Sequence, residues 1–133
     1  MNTLVLYTRG YCHVVKIFIT GINGFIGSEL KRSLERNGHQ VFGCDIVGNF
    51  DEQNTFEINI NFQKKFSFII DKIQPEVIIN CAAETHIDSS SLSDYATNIH
   101  GVENILYSID KVTSVKKLFH FSSMLVYKYG SES

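Results

Sequence analysis

Val14-Val15-Lys16-Ile17-Phe18-Ile19-Thr20-Gly21-Ile22-Asn23-Gly24-Phe25-Ile26-Gly27-Ser28-Glu29-Leu30 is the stretch that decides the fold. Ile17, Phe18 and Ile19 are bulky and apolar, as a parallel strand covered on both faces requires. Gly21 can take backbone angles closed to other residues, so the chain can turn sharply after Thr20. Gly24 has no side chain, so a phosphate can approach the backbone there. Gly27 lies one turn into the following helix and lets it pack close to the strand. The unpaired N–H groups of that first turn carry roughly half a positive charge between them. Hydrogen bonds from them to an anion are worth about 1.5–3 kcal/mol each. A strand, a tight glycine turn and a helix N-terminus together make a site for a dinucleotide pyrophosphate. The first two glycines stand one residue further apart than in Gly-x-Gly-x-x-Gly. A bare turn would use the same residues, and the strand before and helix after favour the phosphate site.

Outward from this loop, strand and helix patterns alternate. Residues 15–20 read as the first strand. Residues 24–37 read as a helix, with Ile26, Leu30 and Leu34 on one face and Lys31, Arg32, Glu35 and Arg36 outside. Asn37-Gly38 is its stop. Gln40 to Asp45 is a second strand, and Asn49 to Asn54 a polar loop. Phe56 to Ile60 is a third strand. Phe62 to Ile73 is helical and ends before Pro75. Val77 to Cys81 is a fourth strand, Leu92 to Lys111 a long helix, and Lys117 to Ser122 a fifth strand. This alternation predicts an α/β, Rossmann-type parallel sheet, and right-handed crossovers give the order 3-2-1-4-5. Residues 1–14 fall outside the scheme. Leu4-Val5-Leu6-Tyr7 reads as an extra edge strand or as part of a disordered extension. Leu4 to Cys12 faintly resembles the opening of glutaredoxin-like proteins, without the second redox cysteine. The domain itself is expected to open at Val15, with the extension an appendage or a misplaced start.

The chain has 133 residues, 44% of them hydrophobic and 20% charged, which suits one soluble globular domain with a real core. A net charge of -2 argues against binding to nucleic acid or a membrane surface driven by charge. The apolar runs are too short to span a bilayer. Arg9, Gly10 and Lys16 break up any signal-peptide core. Cys12, Cys44 and Cys81 contain no Cys-x-x-Cys pair and read as reduced thiols in a cytoplasmic protein. The five histidines lack metal-ligand spacing, so no metal site is expected.

Asp45 closes the second strand, 18 residues after Gly27. A carboxylate there can accept both hydroxyls of an adenosine ribose. It would repel a 2′-phosphate, since like charges about 4 Å apart cost on the order of 4 kcal/mol at an effective dielectric of 20. That favours NAD over NADP. The other reading is a polar strand end facing solvent.

Four segments together resemble the extended short-chain dehydrogenase/reductases, the NAD-dependent epimerase/dehydratase group that acts on nucleotide sugars. They are Thr20-Gly21-x-x-Gly24-x-x-Gly27, Cys81-Ala82-Ala83-Glu84-Thr85-His86-Ile87-Asp88, Asn98-Ile99-His100-Gly101-Val102-Glu103-Asn104 and Phe121-Ser122-Ser123-Met124-Leu125-Val126-Tyr127. They fall in the family's order across residues 15–127. The resemblance implies that Gly21, Asn23, Gly24, Phe25, Ile26 and Gly27 hold the pyrophosphate and that Asp45, with Ile46 beside it, holds the adenosine. Asn59, followed by Ile60, stands where the family has an Asp for the adenine amino group. Its side-chain oxygen can accept the same bond. Cys81, Ala82, Ala83 and Thr85 would line the nicotinamide side, and Asn98 would steady the cofactor from its helix. Ser123 matches the catalytic Ser/Thr. Close packing of a strand end and a solvated loop hydroxyl are the plainer readings of Ala82-Ala83 and Ser123.

That family also uses a tyrosinate to take a proton from a sugar hydroxyl while hydride passes to NAD, with a lysine four residues on lowering the tyrosine pKa. Neither Tyr127 nor Tyr129 has that lysine, because Ser131 and Ser133 stand there. Tyr107 and Lys111 have the spacing but precede Ser123, and read as coincidence. Met124 and Leu125 replace the Asp-Glu pair of 4,6-dehydratases, so the resemblance favours an epimerase. Residues 15–133 are thus expected to be a partial NAD-binding domain, cut after the fifth strand, without the Tyr/Lys helix and substrate domain. The 133-residue chain alone is expected to be inactive. Its implied partner is a nucleotide sugar. Apolar sheet surface left uncovered points to a homodimer or non-specific self-association. The alternative is a non-catalytic dinucleotide-binding module or a truncated gene remnant.

Overall fold

In a computed structural model, which describes residues 13–83 and 96–122, five parallel strands form one sheet in the order β3-β2-β1-β4-β5. The strands are β1 (Lys16–Thr20), β2 (Gln40–Asp45), β3 (Thr55–Glu57), β4 (Val77–Asn80) and β5 (Lys117–His120). The helices are α1 (Phe25–Arg36), α2 (Gln63–Ile73) and α3 (Ala96–Asp110). β1 lies at the centre because its side chains are apolar on both faces. Phe18 is fully buried on one side, and Ile17 and Ile19 are buried on the other. Full burial of such a side chain stabilises by about 1.5–3 kcal/mol.

Phe18, Cys44 and Ile78 face α2 and α3, packing with Phe66, Ile70 and Ile105. The Phe18 and Phe66 rings meet edge to face at 5.9 Å between centroids. Ile17, Ile19, Val41, Val77 and Ile79 form the opposite core, against Leu30 and Leu34 of α1. Leu30 and Leu34 are on the expected inner face of α1. Ile26, placed on that face by its spacing, is 45% exposed because it lies in the first turn, beyond the sheet edge. At the outer strand β5, Phe119 pairs in register with Ile79 yet stays 39% exposed, and Phe121 stays 45% exposed.

The strand order agrees with the sequence expectation; the third strand does not match in extent. It spans Thr55–Glu57 rather than residues 56–60. Ile58 still donates its N–H to the Asp45 carbonyl, but Asn59 then turns the chain. Its side-chain oxygen accepts the Asn61 N–H at 2.9 Å and its carbonyl accepts the Phe62 N–H. This turn leads directly into α2. The fourth and fifth strands each end one or two residues early, at Asn80 and His120. Two hydrogen bonds nonetheless carry the ladder on, from Cys81 N–H to the Thr20 carbonyl and from Phe121 N–H to the Asn80 carbonyl. α2 ends at Gln74, in the left-handed conformation, one residue before Pro75. Residues 1–12, and with them the edge strand expected over Leu4–Tyr7, lie outside the described residues.

Candidate functional site

The C-terminal ends of β1, β2 and β4 meet at the glycine loop. Gly21 has φ +69°, and a Cβ on it would lie 2.9 Å from the Cys81 carbonyl carbon and the Ala82 nitrogen. Only glycine fits both the backbone angle and this approach. The loop is tied to β2, since Gly21 and Ile22 both donate N–H to the Cys44 carbonyl, at 2.8 and 3.2 Å. Ile22 folds back over Gly43 and is 1% exposed. Gly27 differs in detail from the expectation. It packs against the loop itself, its absent Cβ 2.9 Å from the Gly21 carbonyl carbon and the Ile22 Cα.

Gly24 is the N-cap of α1, and no side chain caps this helix end. A Cβ on Gly24 would meet only the Gly21 carbonyl oxygen, at 3.3 Å, so the space above it is open. Among the described residues, the N–H groups of Phe25, Ile26 and Gly27 are left for solvent or an anion, as at any uncapped helix start. The Phe25 side chain is 89% exposed. The arrangement suits an anion held by backbone rather than by side chains.

Asp45 stands across the loop. Its Oδ2 accepts the Asn23 N–H at 2.9 Å, and its Oδ1 accepts the N–H of Ile46 at 2.8 Å. Oδ1 also takes a longer contact of 3.4 Å from the Val47 N–H, so Oδ2 is the oxygen with lone-pair capacity left for a further donor. Ile46 and Val47 are exposed beside it. The side chain of Asn23, a residue expected at the pyrophosphate, is turned toward this loop, its amide donating to the Val47 carbonyl at 2.7 Å. A diphosphate and a diol thus find donors and acceptors on adjacent loops, which fits a dinucleotide.

The remaining expected residues are spread around this centre. Cys81, Ala82 and Ala83 follow β4 beside Gly21. Cys81 is half-buried, and burial pushes its thiol up to about 11. Cys44 lies beneath the loop, its thiol raised well above the usual range by burial and by the Asp45 charge. Both thiols are free. Asn59 uses its side-chain oxygen in the turn into α2. The Ile60 side chain is 3% exposed, in the core against Gly101. Its carbonyl accepts the buried Asn104 amide at 2.8 Å. Asn98 is exposed in the first turn of α3. Thr85 and Ser123 lie outside the described residues. Tyr107 and Lys111, with the ammonium 5.1 Å from the ring centroid, sit at the C-terminal end of α3, away from the strand ends that build the site.

Sequence reasoning missed a polar row at the strand ends, buried at Thr20 and Asn80 and reaching the surface at His120. Thr20 donates its hydroxyl to Asn80 Oδ1 at 2.5 Å, Asn80 Nδ2 donates to His120 Nδ1 at 3.0 Å, and the Ala82 N–H reaches Thr20 Oγ1 at 3.4 Å. Polar residues closing otherwise apolar strands were the available signal. No group of three or more His, Cys, Asp or Glu side chains able to hold a metal occurs among the described residues. No helix of the described residues is long and apolar enough to cross a membrane.

Residues 17–133 match the model of the NAD dependent epimerase/dehydratase family. Protein CapI of Staphylococcus aureus is 30% identical over 131 residues, covering 85% of this chain and 39% of the relative. The enzyme WbmH of Bordetella bronchiseptica, solved in complex with NAD+, superposes with a TM-score of 0.77 at 28% identity, covering 91% of this chain and 43% of that one. UDP-glucose 4-epimerase of Thermotoga maritima, solved with UDP-glucose, gives 0.72 at 28% identity, over 80% and 37% of the two chains. This chain therefore spans about two fifths of the length of the proteins it matches.

Proposed function

This chain belongs to the NAD dependent epimerase/dehydratase family, and from that premise we propose that it binds NAD and forms the cofactor part of an oxidoreductase acting on a nucleotide sugar. The observation that supports this reading best is the open, uncapped start of α1 facing the Asp45 carboxylate across the glycine loop. NAD bound there would supply the acceptor for a hydride from a sugar carbon. The Phe25, Ile26 and Gly27 N–H groups bind the pyrophosphate. Asp45 accepts the ribose hydroxyls and selects against a 2′-phosphate. Cys81, Ala82, Ala83 and Thr85 line the nicotinamide side, and Asn98 steadies the cofactor from α3. Asn59 is left with one lone pair for the adenine. Ser123 hydrogen-bonds the reacting sugar hydroxyl.

Epimerisation suits these residues better than 4,6-dehydration, because apolar Met124 and Leu125 cannot supply the acid and base that dehydration requires. Residues 15–133 form the cofactor-binding unit, working in the cytoplasm. No Tyr-x-x-x-Lys follows Ser123 within these residues, so the 133-residue polypeptide binds NAD without turning over a sugar. Calorimetric titration of this polypeptide with NAD, beside a hydride-transfer assay with UDP-glucose, tests the reading. Saturable one-site binding without reduction of NAD is expected. No binding at millimolar NAD would overturn the cofactor assignment, and turnover would overturn the assignment of the proton-transfer step to residues beyond these. The coding DNA past Ser133 separates a catalytic protein from a non-catalytic dinucleotide module. An in-frame Tyr-x-x-x-Lys supports the enzyme.

A further inference from the structure

Asn23, Asp45 and Val47 close a ring of hydrogen bonds. The Asn23 N–H reaches Asp45 Oδ2 at 2.9 Å, the Val47 N–H reaches Asp45 Oδ1 at 3.4 Å, and the Asn23 side-chain amide reaches the Val47 carbonyl at 2.7 Å. Gly48 completes the device. Its φ of +112° suits glycine, and a Cβ on it would lie 2.7 Å from Asn23 Cγ and closer to the amide nitrogen. The chain after β2 is thereby stapled to the glycine loop, with the Asp45 carboxylate held between them.

We infer that Asn23 and Gly48 are positioning residues that set the choice between NAD and NADP by pinning the Asp45 carboxylate. The inference rests on the proposed cofactor reading. Asp45 ends β2, and its carboxylate cannot turn from a 2′-phosphate while the Ile46 and Val47 N–H groups are fixed on Oδ1; once the loop is released, those donors and the carboxylate turn together. Coulomb repulsion falls as the inverse of distance, so releasing the loop relieves NADP of a penalty that NAD never had. Without the side-chain amide, the same freedom blurs the acceptor geometry that ribose hydroxyls use. The two cofactors therefore respond in different directions, which a general loss of stability would not produce.

Dissociation constants for NAD and NADP, measured by calorimetry on the parent chain and on Asn23→Ala, Gly48→Ala and the double variant, test this. The parent should prefer NAD. Asn23→Ala should narrow that preference by roughly tenfold. Gly48→Ala should narrow it similarly by expelling the Asn23 amide, and the double variant should match Asn23→Ala rather than add to it. A parent that binds NAD with no preference over NADP would overturn the inference. So would an Asn23→Ala variant in which both cofactors weaken equally. If Gly48→Ala does not fold, the Asn23→Ala ratio decides alone. A parent that binds neither cofactor refutes the underlying reading, a result distinct from a preserved ratio.

Discussion

Replacing Gly27 with alanine sets two effects against each other. Alanine is favoured over glycine within a helix by about 1 kcal/mol. Against this, the new Cβ would sit 2.9 Å from the Gly21 carbonyl carbon and the Ile22 Cα, and closer still to the Gly21 carbonyl oxygen. Carbon atoms settle at about 3.5–4.0 Å, so α1 or the loop must move by roughly 0.6–1 Å. The loop resists, because the Gly21 and Ile22 N–H groups are bonded to the Cys44 carbonyl and Ile22 is buried. The helix start must yield. Overpacking of this kind costs about 1–3 kcal/mol, and the upper end applies where backbone meets backbone. Net destabilisation of about 2 kcal/mol is expected from urea unfolding. The larger effect falls on NAD. A 1 Å displacement stretches ordinary hydrogen bonds of about 2.9 Å beyond bonding range. Losing two charge-assisted bonds costs about 3–6 kcal/mol, or at least roughly 100-fold in affinity. Ser33→Ala, on the exposed side of the same helix, is the control and should leave NAD affinity unchanged. Gly27→Ala binding NAD within about threefold of the parent would refute the reasoning.

Two other groups give simple tests. Glu76 accepts a hydrogen bond from His13 and another from the Lys16 N–H, which hold its carboxyl below the ordinary 4.5. A depressed folded-state value means this contribution is complete above pH 4.5 and drains away as the pH falls through the folded value. Glu76→Gln should therefore narrow its stability deficit against the parent during acid titration, followed by circular dichroism. An unchanged difference across the acid range contradicts this. Cys81, with its thiol raised to about 11, should alkylate with iodoacetamide at pH 8 roughly two orders of magnitude more slowly than an exposed cysteine, and at the ordinary rate in urea. Peptide mass mapping reads this site by site, and equal rates in buffer and urea would count against the burial argument.

The sheet was legible because each central strand announces itself locally. Ile17-Phe18-Ile19 and Val77-Ile78-Ile79 are apolar on both faces, and parallel topology leaves them few neighbours to choose. The third strand was less legible for an equally physical reason. The apolar pattern that begins at Phe56 runs on through Ile58 past the end of the strand at Glu57, and Ile60 is buried from a turn rather than from a strand. Periodicity records burial and cannot tell which backbone shape delivers it. The glycine spacing marked Gly21 for a sharp turn and Gly27 for a close approach. It could not say that Gly27 meets the loop, nor that Gly48 is shaped around the Asn23 amide, because both facts depend on partners distant along the chain.

The same division separates what this chain can determine from what it cannot. In the proposed reading, backbone N–H groups at α1 and a carboxylate on β2 recognise parts common to every NAD molecule, and they are built wholly from local turns and strand ends. Sugar discrimination needs side chains that meet the far end of the substrate. A chain spanning 37% to 43% of structural relatives at 28% identity can share their cofactor geometry while leaving the sugar open. The proposed Asn23–Gly48 staple belongs to the first kind of feature. Its effect should therefore be measurable as cofactor preference on this chain alone, independent of any sugar.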